Sequence, residues 1–167
     1  MAEPRRSAGK DESDLKGARI LIVEARFYED IADELARGAV DELEGRRIEY
    51  ERIAVPGSLE IPLALSLALS TGFVGRAGRH RGCIALGCVI RGETTHFDIV
   101  ARESAAGLHA LAVEHAVPLG NGILTCDSRA QALARASVTG RNKGGDAARA
   151  CLALMQIEQN FSSASRR

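Results

Sequence analysis

The eight residues Cys83–Ile90 (CIALGCVI) include no charged, amide or hydroxyl side chain. A run this short and this apolar reads as a β-strand covered on both faces, because a half-exposed strand alternates. Covering both faces takes one layer of helices above the sheet and another below it, and the rest of the chain supplies them in alternation. Ile20–Glu24 (ILIVE) is a second short apolar run. It is followed by Ile31, Leu35, Ala39 and Leu43 at helical spacing, with Ala32, Ala36 and Val40 beside them. Arg46–Val55 alternates in part, through Ile48, Tyr50 and Arg52, and Pro56-Gly57 ends it. Leu59–Ser70 reads as a helix so apolar that both of its sides should be covered. After the central strand, Phe97, Ala101, Ala105, Leu108 and Ala112 mark the expected inward face of a long helix. Pro118–Thr125 is a fourth strand, in which Gly120 and Gly122 permit close approach of another backbone. Ser128 caps a helix to about Ala136, Thr139–Gly145 turns, and Asp146–Phe161 is a last helix with Ala147, Cys151, Leu154 and Ile157 inward. Strand–helix alternation implies parallel strands with right-handed crossovers. The expected architecture is a three-layer α/β/α sandwich on a four-stranded parallel sheet.

Composition narrows the class further. At 167 residues the chain suits one domain, read here as residues 18–161 between a polar N-terminal tail (1–17) and a short C-terminal tail (162–167). Lys plus Arg equals Asp plus Glu at 22 each, so nothing points to nucleic acid or an anionic membrane as partner. No apolar run approaches the ~20 residues of a membrane span. The N-terminal MAEPRRSAGKDESD has no apolar stretch after its arginines, so the expected location is the cytoplasm. Cys83, Cys88, Cys126 and Cys151 form no CxxC pair and have no histidine cluster beside them, so they read as buried, reduced thiols and not as a metal site. The basic, Gly-rich stretch from Thr71 to Gly82 reads as a solvated connection.

In an open parallel sheet, ligands gather outside the carboxyl ends of the strands. The unusual residues of this chain fall there. Arg26-Phe27-Tyr28 follows the first strand, Pro56-Gly57-Ser58-Leu59-Glu60 the second, and Arg91-Gly92-Glu93-Thr94-Thr95-His96 the third. Asn121, within the fourth, completes the expected rim. Singly, each has an ordinary structural explanation: a core Phe, a turn, a first-turn carboxylate, a threonine N-cap. Jointly they describe a binding site. GETTH offers hydroxyls and free backbone amides at a helix N-terminus, which suits an anion. His96 can move protons near neutral pH. Phe27 presents a flat face to a flat ring, and Ser58 and Glu60 suit a polyol. Neither a GxGxxG fingerprint nor a Walker loop is present. The residues alone therefore indicate a planar heterocycle together with a small phosphorylated molecule.

The stretches ARFY at 25–28, VPGSLEIP at 55–62, GCVIRGETTHFDIV at 87–100, GNGILT at 120–125 and NKGGDAA at 142–148 resemble, in order and spacing, the signatures of lumazine synthases. The resemblance spans about residues 18–161. It implies a flavodoxin-like fold and the condensation of 5-amino-6-(ribitylamino)uracil with 3,4-dihydroxy-2-butanone 4-phosphate to 6,7-dimethyl-8-ribityllumazine, the penultimate step of riboflavin biosynthesis, with no cofactor and no metal. It also implies a homopentamer, or a multiple of pentamers, with each site shared between neighbours. On this resemblance Phe27 stacks on the pyrimidine, Ser58, Leu59 and Glu60 hold the ribityl chain, and Cys88, Val89 and Ile90 line the ring edge. Glu93 and Thr94 receive the phosphate through backbone amides and the Thr94 hydroxyl, and His96 shuttles protons. From the adjacent chain, Asn121 borders the ring, Arg135 pairs with the phosphate and Lys143 lies near a ring carbonyl. Four positions depart from the usual family pattern: Tyr28 for Asn, Leu59 for Phe, Glu93 for a small residue, and Asn121 for an aromatic. Competing readings are a flavin carrier on the same scaffold, a shell subunit, and an unrelated receiver domain. His96, Arg135 and Lys143 together favour the enzyme over the carrier, and Glu24 alone is not a receiver's acidic cluster.

Overall fold

A computed structural model of the chain describes Leu15 and residues 17–165. Nine elements alternate as the sequence requires: β1 (Arg19–Ala25), α1 (Glu29–Gly45), β2 (Glu49–Val55), α2 (Glu60–Ser70), β3 (Gly82–Ile90), α3 (His96–Glu114), β4 (Leu119–Cys126), α4 (Arg129–Ala136) and α5 (Lys143–Ala164). The four strands are all parallel, in the order β2-β1-β3-β4. This is the three-layer α/β/α, flavodoxin-like sandwich. Its core has two halves, one per sheet face. Ile20 and Ile22 of β1 and Ile84 and Leu86 of β3 pack against α1, α4 and α5. Leu21 and Val23 of β1 and Cys83 and Ala85 of β3 pack against α2 and α3. The strict two-residue alternation of β1 and β3 between these halves is why both strands are apolar throughout.

Local chemistry accounts for the helix ends. Glu29 and Asp30 occupy the first turn of α1, where the helix dipole favours carboxylates. The Ser128 hydroxyl accepts from the Gln131 amide and caps α4. Asn142 caps α5 from a left-handed backbone, φ 47°, its side chain accepting from the Gly145 amide at 3.1 Å. That cap starts α5 at Lys143, inside the stretch expected to be a turn. Gly120 is obligatory as expected: a Cβ there would lie 2.0 Å from the Ala147 carbonyl oxygen of α5.

Several expectations need correction. On α3 the buried stripe is Val100, Ser104 and Leu108, not the line through Ala101 and Ala105; small alanines there carried no burial information. On α5, Leu152 and Met155 point inward with Ala147 and Cys151, while Leu154 and Ile157 are exposed. The inward line runs through 148, 151, 152 and 155, about a third of a turn from 154 and nearly a half-turn from 157. On α2, Ile61, Leu65 and Ala68 are buried but Leu63 and Leu67 are 61% and 60% exposed, so within one chain only one side is covered. The connection between α2 and β3 is not simply solvated: Val74 and His80 are buried, the His80 ring tilted against Phe73 with centroids 4.5 Å apart. At the N-terminus, Leu15 packs into the α1–α5 half of the core, and α5 continues through Ala164 into the segment expected as a C-terminal tail. Residues 1–14 and 16 of the expected N-terminal tail lie outside the described residues. All four cysteines are buried free thiols. Among the described residues, no helix is long and apolar enough to cross a membrane.

Candidate active site

The carboxyl ends of β1, β2 and β3, with the segments that leave them, enclose a cleft of about 490 Å³. Phe27, Ser58, Leu59, Glu60, Cys88, Val89, Ile90, Thr94 and His96 all line it. Phe27 lies just beyond β1 and is 72% exposed, its ring meeting Tyr28 edge-on at 4.9 Å, so a broad aromatic face is open to a ligand. The main chain holds the two neighbouring loops together: the Arg26 amide donates to the Val55 carbonyl at 3.1 Å, tying the end of β1 to the end of β2.

Pro56 halts β2, and Gly57 and Ser58 turn the chain into α2. The Glu60 amide donates to the Gly57 carbonyl at 3.2 Å to close this turn. Ser58 is 6% exposed and rests on β3, where the fold demands Gly87: a Cβ there would come within 2.8 Å of Ser58 Oγ and 3.3 Å of the Ala25 Cβ. The glycine of GCVI thus lets the Ser58 turn lie on the sheet. Glu60 opens α2, where the helix dipole favours its carboxylate. Cys88 forms a neutral wall: burial, with Cys126 adding to it, pushes its thiol up to about 12.

The third wall is the segment between β3 and α3. The Arg91 guanidinium donates to both Asp98 oxygens at 3.1 and 3.3 Å and to Asp127 at 3.4 Å, and lies 4.1 Å from the Phe97 ring centroid. Its own amide donates to the Cys126 carbonyl at 2.9 Å. One residue therefore ties this segment to α3 and to the end of β4. The His96 amide makes a long 3.4 Å bond to the Thr94 hydroxyl, and Thr95, at the N-cap, makes no side-chain cap bond. The Asp98 amide turns back onto the Thr95 carbonyl at 3.0 Å, so what the start of α3 offers an anion is its dipole and the amides of the segment that leads into it. His96, the first residue of α3, borders this end and the cleft at once.

Other expected site residues are not brought here. Glu93 is exposed on the same segment but does not line the cleft. Asn121 is not on the rim: it pairs with Ala85 in the middle of the sheet and borders a separate, more open depression with Arg91, Phe97 and Asp98. It is the third residue of an eight-residue strand whose end is Cys126, so the strand-end rule does not apply to it. Its Oδ1 accepts from the Ile123 amide at 3.0 Å. Arg135 donates to the Gln131 carbonyl of its own helix at 3.1 Å, and Lys143 pairs with Asp146 at 2.8 Å; neither lines the cleft. Sequence reading missed Phe97 and Val100 as lining residues, although Val100 lies one helical turn from His96. It also missed the tie made by Arg91, for which residues seven apart across a loop–helix junction give no periodic signal.

The family described as 6,7-dimethyl-8-ribityllumazine synthase matches residues 17–159. The protein of that name from Nitrobacter hamburgensis is 50% identical over 165 residues, covering 98% of this chain and 100% of the relative. The Rhodopseudomonas palustris protein named 6,7-dimethyl-8-ribityllumazine synthase 1 is likewise 50% identical, with the same coverage. The Methylocella silvestris relative is 54% identical over 155 residues, 92% of this chain and 93% of its own. The chain therefore belongs to the 6,7-dimethyl-8-ribityllumazine synthase family, a family of transferases.

Proposed function

We propose that this enzyme condenses 5-amino-6-(ribitylamino)uracil with 3,4-dihydroxy-2-butanone 4-phosphate, giving 6,7-dimethyl-8-ribityllumazine, inorganic phosphate and two waters. The observation that carries this reading is the convergence, in one cleft, of an open aromatic face at Phe27, the hydroxyl of Ser58 and carboxylate of Glu60, and the start of α3 at His96. The uracil ring stacks on Phe27 along the wall made by Cys88, Val89 and Ile90. The ribityl chain runs toward Ser58, Leu59 and Glu60. The phosphate meets the start of α3, at the amides of Glu93 and Thr94 and the Thr94 hydroxyl.

The 5-amino nitrogen adds to the ketone carbon, and loss of water gives an imine. Loss of the C3 proton and of phosphate from C4 of the four-carbon unit leaves an enol, which takes up a proton at C4 to become a ketone at C3; the ribityl-bearing nitrogen then adds to that carbonyl and the second water leaves, closing the ring. Amine addition to a ketone is facile, so most of the rate comes from holding two substrates in register. His96 carries protons to and from the reacting atoms. Charge on the leaving phosphate is offset by the helix amides and by Arg135 of a neighbouring copy, with Asn121 and Lys143 of that copy closing the ring side. We place the enzyme in the cytoplasm, as a pentamer or a multiple of pentamers. The uncovered Leu63 and Leu67 of α2, and the absence of Arg135 and Lys143 from the cleft of their own chain, support an intersubunit site. Mixing the purified protein with both substrates and following lumazine absorbance tests the proposal. Lumazine should appear only when both are present, and failure to form it above the uncatalysed rate contradicts the reading.

A further inference from the structure

The end of β1 carries a charged group that the proposed chemistry does not use. Glu24 is 4% exposed and faces the α1–α5 half of the core, on the same side of β1 as Ile20 and Ile22. Arg52 of β2 grips it with a two-pronged fork, Nε to Oε1 and Nη2 to Oε2, both at 3.0 Å. Arg26 donates from Nη1 to Glu24 Oε2 at 3.2 Å and from Nη2 to Asp33 Oδ1 of α1 at 2.8 Å. Replacing a buried ion pair by apolar side chains of similar volume often costs a fold nothing, so stability of the sheet does not by itself call for a Glu at this point. Its position gives a reason. The bridge from Glu24 through Arg26 to Asp33 spans Phe27 and Tyr28. The Arg26 amide also holds Val55, the residue before the Pro56–Ser58 turn. Phe27 is 72% exposed, so packing does not fix where its ring stands.

We propose that Glu24 is a positioning residue: with Arg52, Arg26 and Asp33 it forms a charged staple that fixes the Phe27 segment as a platform for the uracil ring. The proposal rests on the reading of Phe27 as the ring platform, and it concerns the uracil side of the reaction alone. Removing the charge loosens the platform before the uracil binds, so binding must first order it; the phosphate end, on α3, is untouched.

Steady-state kinetics, with calorimetric titration of the unreactive 6-(ribitylamino)uracil that lacks the 5-amino group, tests this. Glu24→Gln should raise both the KM for the ribitylaminouracil and the Kd of its unreactive analogue about fivefold, with kcat and the KM for the butanone phosphate changing less than about twofold. Asp33→Asn breaks the exposed outer end of the staple without disturbing the buried group and should shift the same two constants in the same direction, by about twofold. In a Phe27→Ser background, Glu24→Gln should add nothing to either constant. An unchanged KM and Kd in Glu24→Gln, or an equal shift when Phe27 is already removed, overturns the inference. If Glu24→Gln does not fold, an unchanged Kd in Asp33→Asn overturns it. Wild-type protein that binds the analogue but forms no lumazine would sink the proposed reaction and leave the staple standing, to be judged by the titrations. Failure of the wild type to bind the analogue at all would overturn both.

Discussion

The cleft at the ends of β1, β2 and β3 and the region around Asn121, Arg135 and Lys143 make an instructive contrast. The first assembles within one chain: strand ends place Phe27, Ser58, Glu60 and His96 around a common space because parallel strands deliver their loops to one edge. The second does not assemble. Arg135 and Lys143 are occupied by partners on their own helices, and Asn121 sits mid-sheet on the edge strand β4. One chain thus gathers an aromatic face and polar groups in one cleft but holds the cationic Arg135 and Lys143 elsewhere. Such a split is what a heterologous, ring-closing assembly would resolve, since every copy can offer the second region to its neighbour's first.

The contrast breaks most completely if assembly is removed. Leu63→Glu combined with Leu67→Glu puts two charges on the uncovered side of α2. Sedimentation should show the wild type as a pentamer or a multiple of it and the double variant as monomers, with a retained circular dichroism spectrum and essentially no lumazine formation. A monomer that keeps its activity would mean that the cleft suffices alone. Next in size is His96→Ala, expected to lower kcat on the order of 10²-fold, at the low end for a general acid–base group, while leaving measurable turnover because orientation survives. Loss of all activity with substrate binding intact would show that proton transfer, and not orientation, carries the rate.

Within the cleft, Phe27→Ser should weaken binding of the ribitylaminouracil by roughly 1–3 kcal/mol, on the scale of base–aromatic stacking, with little change for the butanone phosphate. Thermal stability should hold, because the ring is exposed in the free chain. Equal losses for both substrates, seen by calorimetry, would move Phe27 from platform to scaffold. The smallest effect belongs to Cys88→Ala. With its thiol pushed up to about 12, Cys88 is neutral across the working range. The variant should keep kcat within about threefold and the same pH–rate profile from pH 6 to 9, whereas a lost alkaline inflection would reveal a thiolate in the chemistry.

Sheet and cleft were legible because their signals are local. Fully apolar runs at Ile20–Val23 and Cys83–Ile90 announce strands with two covered faces, and Pro56-Gly57 and the GETTH stretch stand out where strands end. What escaped needed tertiary information. Alanine-rich helices such as α3 and α5 have small residues on every side, so periodicity misplaced their inward faces, and only the structure distinguishes Leu152 from Leu154. The charge ties of Arg26 and Arg91 join elements by side-chain reach, which leaves no pattern in the sequence. Arg135 and Lys143 are on this account residues of a neighbour's site. No property of their own segment sets them apart from solvated helix residues, and only resemblance singled them out.

The central claim is that each site is built from two chains, and co-refolding of two poorly active variants tests it most directly. One variant is His96→Ala with Arg135 intact; the other is Arg135→Ala with His96 intact. In a randomly mixed ring, an interface is whole when its His96 face comes from the second variant and its Arg135 face from the first, which happens at about a quarter of interfaces. With native mass spectrometry confirming that the chains have mixed, lumazine formation should rise to about a quarter of the wild-type rate per site. If the mixed rings show only the average of the two variants, Arg135 serves its own chain and the shared-site account is wrong.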